Sequence, residues 1–194
     1  MARTTEQQRI IDIINGWSGA LEKARVSRAV RAQAAFELHG AASYLESHWP
    51  TTTIRLLHPV EAPLNENNPF GAVDDIYTNL GLLGHPGIDF LCPTGTPVLA
   101  CHDGLVERAD WAGTAGIMVA LIHEEDNYRT RYLHLESALV RVGDKVTMGE
   151  FIGRSGTSGL STGPHLHLDY YPAGEPQNNG YGGRADPTPF LING

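Results

Sequence analysis

His165-Leu166-His167-Leu168-Asp169-Tyr170 is the stretch on which the reading of the fold turns. Two histidines two positions apart share a face only on a β-strand, where side chains alternate. On a strand, Leu166, Leu168 and Tyr170 point to a core, and His165, His167 and Asp169 point the other way. The same grammar recurs upstream in residues 96–100, 116–122 and 129–135, short apolar stretches set among Gly, Pro, Asp and Asn. Turn signals fall between them about every ten residues, the pattern of an all-β sandwich or open sheet. The Gly-rich residues 153–163 predict tight turns that deliver His165 and leave a groove open beside it. Residues 65–75 and 172–186 read as long loops, which in a compact domain often line a groove.

Composition bounds the alternatives. The 194 residues are 41% hydrophobic and 19% charged, as for an ordinary globular chain. Net charge is -8 and unevenly spread. Residues 1–50 carry six Lys/Arg against five Asp/Glu, and the remainder eight against seventeen. An acidic C-terminal part argues against nucleic acid as a partner.

The first 49 residues predict an α-helical segment. Ile10, Ile13, Ile14 and Trp17 repeat at helical spacing, with Thr5 and Gln8 as a capping box for a helix over 5–15. A second helix is expected over 20–47, with Ala34, Leu38, Ala41 and Leu45 on one stripe and Pro50 as its stop. Lys23, Arg25, Arg28 and Arg31 form either a solvated helix face or an anchor for an anionic surface or partner. The domain boundary is expected at 49/50, with the β domain in 50–194. The longest apolar run, residues 117–122, is far too short for a transmembrane segment. The N-terminus lacks the apolar core of a secretion signal. Cys92 and Cys101 flank a turn and are either a cross-hairpin disulfide or two reduced, buried thiols.

A second motif, His85-Pro86-Gly87-Ile88-Asp89, carries a histidine and a carboxylate four apart. Pro86-Gly87 opposes a helix, whereas on a strand the even offset puts both side chains on one face. His134 lies in Arg131-Tyr132-Leu133-His134-Leu135. One carboxylate and several imidazoles at these spacings suit Zn²⁺ with an open coordination position. His39, His48, His58, His102 and His123 have no such company and read as structural or surface residues. Asp169 either orients an imidazole or faces solvent.

From about residue 54 to residue 191 the chain resembles the lysostaphin/LytM-type zinc endopeptidases that cut peptidoglycan cross-links. The matching motifs run in order through residues 84–90, Pro93-Thr94-Gly95-Thr96-Pro97-Val98, Tyr132-Leu133-His134-Leu135, Val142-Gly143-Asp144-Lys145-Val146, Gly149-Glu150-Phe151-Ile152-Gly153 and residues 158–168. The resemblance implies one Zn²⁺ ion held by His85, Asp89 and His167. His134 and His165 would flank the reacting centre as catalytic residues, one accepting a proton from water and the other donating to the oxyanion. Which does which stays open. The implied partner is the peptide of bacterial peptidoglycan. The implied place of action is the cell wall, extracellular or periplasmic, reached by lysis or on a phage if no signal precedes the chain.

Two rivals remain. An inactive wall-binding or hydrolase-activating homologue would lack some of the five site residues, and all five are present. A lipoyl- or biotin-carrier module would share the hairpin around Val142–Val146, but Lys145 sits inside the half-motif rather than at a hairpin tip. The bond cut, whether a glycine bridge, a D-alanyl cross-link or a bond within the stem, is not read from these residues. The absence of a recognisable C-terminal wall-binding repeat favours the D-alanyl type. Oligomeric state is not legible.

Overall fold

The computed structural model describes residues 54–124 and 127–192. The helices expected over 5–15 and 20–47, the basic cluster on the second of them and the boundary at 49/50 lie outside the described residues. The chain divides into two compact units, residues 1–53 and 54–194, and every described residue belongs to the second.

That unit is mainly β. In chain order it comprises β1 (Leu56–Leu57), α1 (Asp75–Asn79), β2 (Ile88–Phe90), β3 (Pro97–Leu99), β4 (Gly104–Trp111), β5 (Ile117–His123), β6 (Tyr128–Leu135), β7 (Ser137–Ala138), β8 (Lys145–Val146), β9 (Phe151–Arg154), β10 (Leu166–Tyr171) and β11 (Leu191–Ile192). Six strands form an antiparallel sheet in the order β2-β10-β6-β5-β4-β8, and β3-β9-β7 form a second. A short parallel pair, β1 with β11, ties the start of the unit to its end. The four apolar stretches picked out in the sequence become β3, β5, β6 and β10. α1 begins inside the loop expected over 65–75, because the Asp74 carboxylate caps it by accepting from the Ile76 N–H at 2.9 Å.

The alternation of β10 is realised. Leu166, Leu168 and Tyr170 are buried in one cluster with Val119, Leu121 and Tyr132 of the large sheet and Val98 and Ile152 of the small one. The core therefore lies between the sheets. Each such side chain contributes about 1.5–3 kcal/mol on burial. The opposite face of the large sheet carries His167 and Asp169, with only a small apolar group, Met118, Ala120 and Leu133, beside them.

The pairing of β5 with β6 contains an irregularity that bears on His134. Ile117 pairs with Leu135, but Val119 pairs with Tyr132, so β6 holds one residue more than β5 over this interval. The extra residue is accommodated at His134, whose φ of 60° lies in the left-handed region. A β-bulge of this kind resets the alternation. Tyr132 and Leu135 both stay in the core, and His134 leaves it.

The strand reading of the His85 motif needs correction. β2 starts only at Ile88, and His85 precedes it. Pro86 and Gly87 delay pairing, and His85 is instead fixed by its own backbone. Its N–H donates to Ala72 O and its C=O accepts from Gly71 N–H, both at 2.8 Å. His165 likewise lies just before β10, in an isolated bridge with Gly156.

A polar chain crosses the core. The Tyr132 hydroxyl accepts from the Cys101 N–H at 2.7 Å and from the Thr130 hydroxyl at 3.2 Å, and Thr130 Oγ1 lies 2.9 Å from His123 Nε2. Both cysteines are free thiols and buried, and burial pushes the Cys101 thiol up to about 12. Among the described residues, no helix is long and apolar enough to cross a membrane. Tyr132→Phe orphans the buried Cys101 N–H, at an expected cost of about 1–3 kcal/mol. Urea unfolding followed by near-UV circular dichroism measures it, and an unchanged midpoint would show that another acceptor takes over.

Candidate metal centre

Adjacent strands bring the donors together. β10 pairs with β2 so that His167 stands directly opposite Asp89. His85 approaches from the segment before β2. His167 Nδ1 lies 2.9 Å from Asp89 Oδ1 and 3.0 Å from His85 Nε2, and His85 Nε2 lies 3.4 Å from Asp89 Oδ1. Three electron-rich atoms thus form a triangle with edges of 2.9–3.4 Å. A tetrahedral zinc with bonds of about 2.1 Å spaces its ligands about 3.4 Å apart. All three residues are buried. The set therefore has the donor chemistry and nearly the spacing of one face of a zinc tetrahedron.

The outward atoms of these residues are held as well. A carbonyl can only accept, so His85 Nδ1 carries a proton and donates to Asn68 O at 2.9 Å, which turns Nε2 toward the triangle. Asn68 Nδ2 also donates to Asp89 Oδ2 at 2.8 Å and to the Tyr77 hydroxyl at 2.9 Å, turning Oδ1 toward the triangle. His167 is the reverse of His85. Its Nε2 faces Asp169 Oδ1 at 2.8 Å, which presents Nδ1 inward. Asp169 is fully buried and in turn held by Arg131 and Arg184, whose Nε atoms lie 2.9 and 3.1 Å from its Oδ2. Gly87 permits this packing, because a Cβ there would meet Leu168 O at 2.5 Å and His167 Nε2 at 2.6 Å.

The electrostatics reflect these contacts. Burial opposes ionisation of Asp89, but hydrogen bonds from His167 and His85 outweigh it and hold the carboxyl well below the usual range. Burial likewise opposes charge on Asp169, and His167 with the two arginines overrides it. Burial alone would lower the His167 pKa, yet Asp169 and Asp89 raise it to about 9. His134 goes the other way, to about 4, chiefly through burial.

His134 and His165 stand beside the triangle, their rings 4.9 Å apart. His134 Nδ1 donates to Ser158 O and His165 Nδ1 to Gly163 O, both at 2.8 Å. Each therefore turns Nε2 away from that carbonyl, and that of His165 lies 3.7 Å from Asp89 Oδ1. Both line a cleft of about 310 Å³ with Tyr77, Met118, Leu133 and Leu160.

All five histidine and aspartate positions expected from the sequence thus meet in one place, and Asp169 joins them as the partner of His167 rather than facing solvent. Sequence reading missed Asn68, Arg131 and Arg184. Their roles depend on a loop conformation and on cross-strand register, and neither has a local signature.

Residues 83–179 match the model for Peptidase family M23, half of the chain. Peptidoglycan DD-endopeptidase ShyC of Vibrio cholerae is 42% identical over 86 residues, covering 44% of this chain and 20% of that protein. Lysostaphin of Staphylococcus simulans is 38% identical over 117 residues, covering 58% and 22%. The chain spans less than a third of the length of the curated relatives it matches. Among solved structures, lysostaphin from S. simulans superposes with a TM-score of 0.56 at 33% identity, over 67% of this chain and 49% of that one. A zinc-containing peptidase from V. cholerae gives 0.52 at 31%, over 60% and 37%. The catalytic domain of the prophage-encoded M23 protein EnpA from Enterococcus faecalis, as an A109H mutant, gives 0.54 at 28%, over 71% and 97%. On fold and sequence together, the chain belongs to Peptidase family M23.

Proposed function

We propose that this protein is a zinc endopeptidase that hydrolyses peptide cross-links of bacterial peptidoglycan. The observation that carries the reading is the buried triangle of His85 Nε2, Asp89 Oδ1 and His167 Nδ1, with two more imidazoles beside it. In this reading the triangle holds one Zn²⁺, and residues 50–194 are the catalytic domain. The DD-endopeptidase and lysostaphin relatives support peptidoglycan as the substrate and the cell wall as the place of action. Likeness to a prophage-encoded peptidase supports a phage-type lysin as the setting.

Zinc at this position would polarise a peptide carbonyl and acidify water. The remaining work falls to side chains of this chain. Three protein ligands leave a position open toward the cleft. His134 and His165 each present Nε2 there, so a neutral ring of the pair takes a proton from water and returns it to the leaving amine. The carbonyls of Ser158 and Gly163 keep both rings in the tautomer this requires. Burial keeps His134 neutral, and a nearby dication pushes it in the same direction. Asp169 fixes the His167 ring and raises its donor strength. An inactive wall binder would need none of this proton-handling apparatus.

With purified peptidoglycan, the wild-type protein is expected to release new amino groups, and the product masses name the bond cut. His165→Ala is expected to retain zinc and lose at least about a hundredfold in turnover. No release from zinc-loaded wild type on either glycine-bridged or directly cross-linked wall would overturn the reading. Asp169→Asn is expected to weaken zinc binding by about 10–100-fold in chelator competition, with the fold retained. His134 should titrate well below an ordinary histidine when followed by NMR of its ring protons. Because its folded-state pKa is depressed, its contribution to stability is intact above about pH 6.5. That contribution is lost as pH falls toward 4.

A further inference from the structure

The open face of the large sheet carries a row of side chains that zinc binding and proton transfer leave unexplained. The register places Asp169 opposite Arg131, Arg131 opposite Ala120, and Ala120 opposite Arg108. This row runs across β10, β6, β5 and β4, parallel to the row that pairs Asp89, His167 and Leu133. It lies two residues further along the strands, a spacing of about 6.8 Å. A third arginine, Arg184, reaches the same place from the loop after β10 and meets Asp169 Oδ2 at 3.1 Å. The small side chain of Ala120 leaves room between Arg131 and Arg108. A second cavity opens there, lined by Arg108, Met118, Arg129, Arg131, Tyr171 and Arg184 among others. It shares Arg108, Met118, Arg131 and Arg184 with the cleft at the metal centre, so the two form one groove.

The charges of this groove do not balance locally. Arg131 and Arg184 both approach a single oxygen, Asp169 Oδ2, while Oδ1 of the same carboxylate serves His167. Among the described residues neither arginine has another acidic partner. Both guanidiniums also stack on the Tyr171 ring, at 4.6 and 5.1 Å, which holds them as a rigid pair. Arg129 is matched by Glu107 at 2.9 Å, and Arg108 by Asp110, both pairs at the exposed rim. Two half-buried guanidiniums sharing one carboxylate leave a surplus positive charge, in a chain whose net charge is -8. Guanidiniums in a rigid fork suit planar carboxylates above other anions of a peptide.

We propose that this groove binds a free carboxylate of the substrate peptide, about two residues from the scissile bond, through Arg131 and Arg184 with Arg108 at the outer edge. These arginines then select stem peptides by charge, and the enzyme discriminates against substrates in which that carboxylate is a carboxamide. The inference rests on the peptidoglycan endopeptidase reading and names a specificity site within it.

The test compares an uncross-linked stem peptide with free carboxylates and the same peptide with those groups converted to carboxamides. Calorimetric binding to the zinc-loaded full chain, independent of turnover, is expected to favour the carboxylate form by at least about tenfold. Arg108→Gln, which does not touch Asp169, is expected to reduce that preference. Arg131→Gln should nearly abolish it in protein whose zinc content is confirmed. If Arg131→Gln loses zinc, Arg184→Gln is measured in its place. Equal binding of the two peptides overturns the proposal, as does a preference that Arg108→Gln and a zinc-loaded Arg131→Gln or Arg184→Gln all leave intact, since the carboxylate would then be read by the metal. On cross-linked substrates the expected mark is a raised KM for the carboxamide form with kcat unchanged. Cleavage of both forms at equal KM sinks the specificity site and leaves the endopeptidase reading standing. Cleavage of neither form, with the carboxylate still bound more tightly, sinks the endopeptidase reading and leaves the anion groove.

Discussion

The pairing of β10 between β2 and β6 is the constraint on which the rest depends. It sets His167 opposite Asp89 on one side and Asp169 opposite Arg131 on the other. One ring is thereby gripped at both nitrogens, by Asp89 at Nδ1 and Asp169 at Nε2. A slip of one residue would send Leu166 and Leu168 to the open face and the histidine into the core. Burial of Leu166, Leu168 and Tyr170 prevents that slip, so hydrophobic packing on one face holds the polar geometry on the other.

Buried charge accumulates around this strand without any bare unpaired ion. Asp89, Asp169, Arg131 and Arg184 would each be costly alone in such a setting. They are tolerable because each oxygen of each carboxylate has a partner and because His85, His134 and His165 are held by carbonyls of fixed position. Asp169 and Asp89 favour positive charge on the His167 ring, and in the proposed reading they favour a bound cation for the same electrostatic reason.

His134 illustrates a different economy. Strict alternation along β6 would place it in the core beside Tyr132. One inserted residue and a positive φ turn it out to the cleft while Leu135 returns to the core. Such backbone conformations in non-glycine residues are uncommon and collect at functional sites.

Much was legible in the chain because it is encoded locally. Alternation identified β10 and its two faces, turn residues separated the strands, and motif spacing together with family resemblance picked out His85, Asp89, His134, His165 and His167. The strand assignment of His85 failed because Pro86-Gly87 breaks pairing, and the true anchor is a backbone pairing with residues 71 and 72. Asn68, Arg131 and Arg184 could not be found, since each acts through a partner at least 15 residues away in sequence. The fate of Asp169 was open for the same reason. Sequence by itself determined which residues could be strands and which side chains have the donor types for metal and proton chemistry, because those properties belong to single residues and their near neighbours. Register, the bulge at His134, the tautomer of each imidazole and the arginine row were decided only by tertiary structure, because each depends on which distant backbone atom or charge lies opposite.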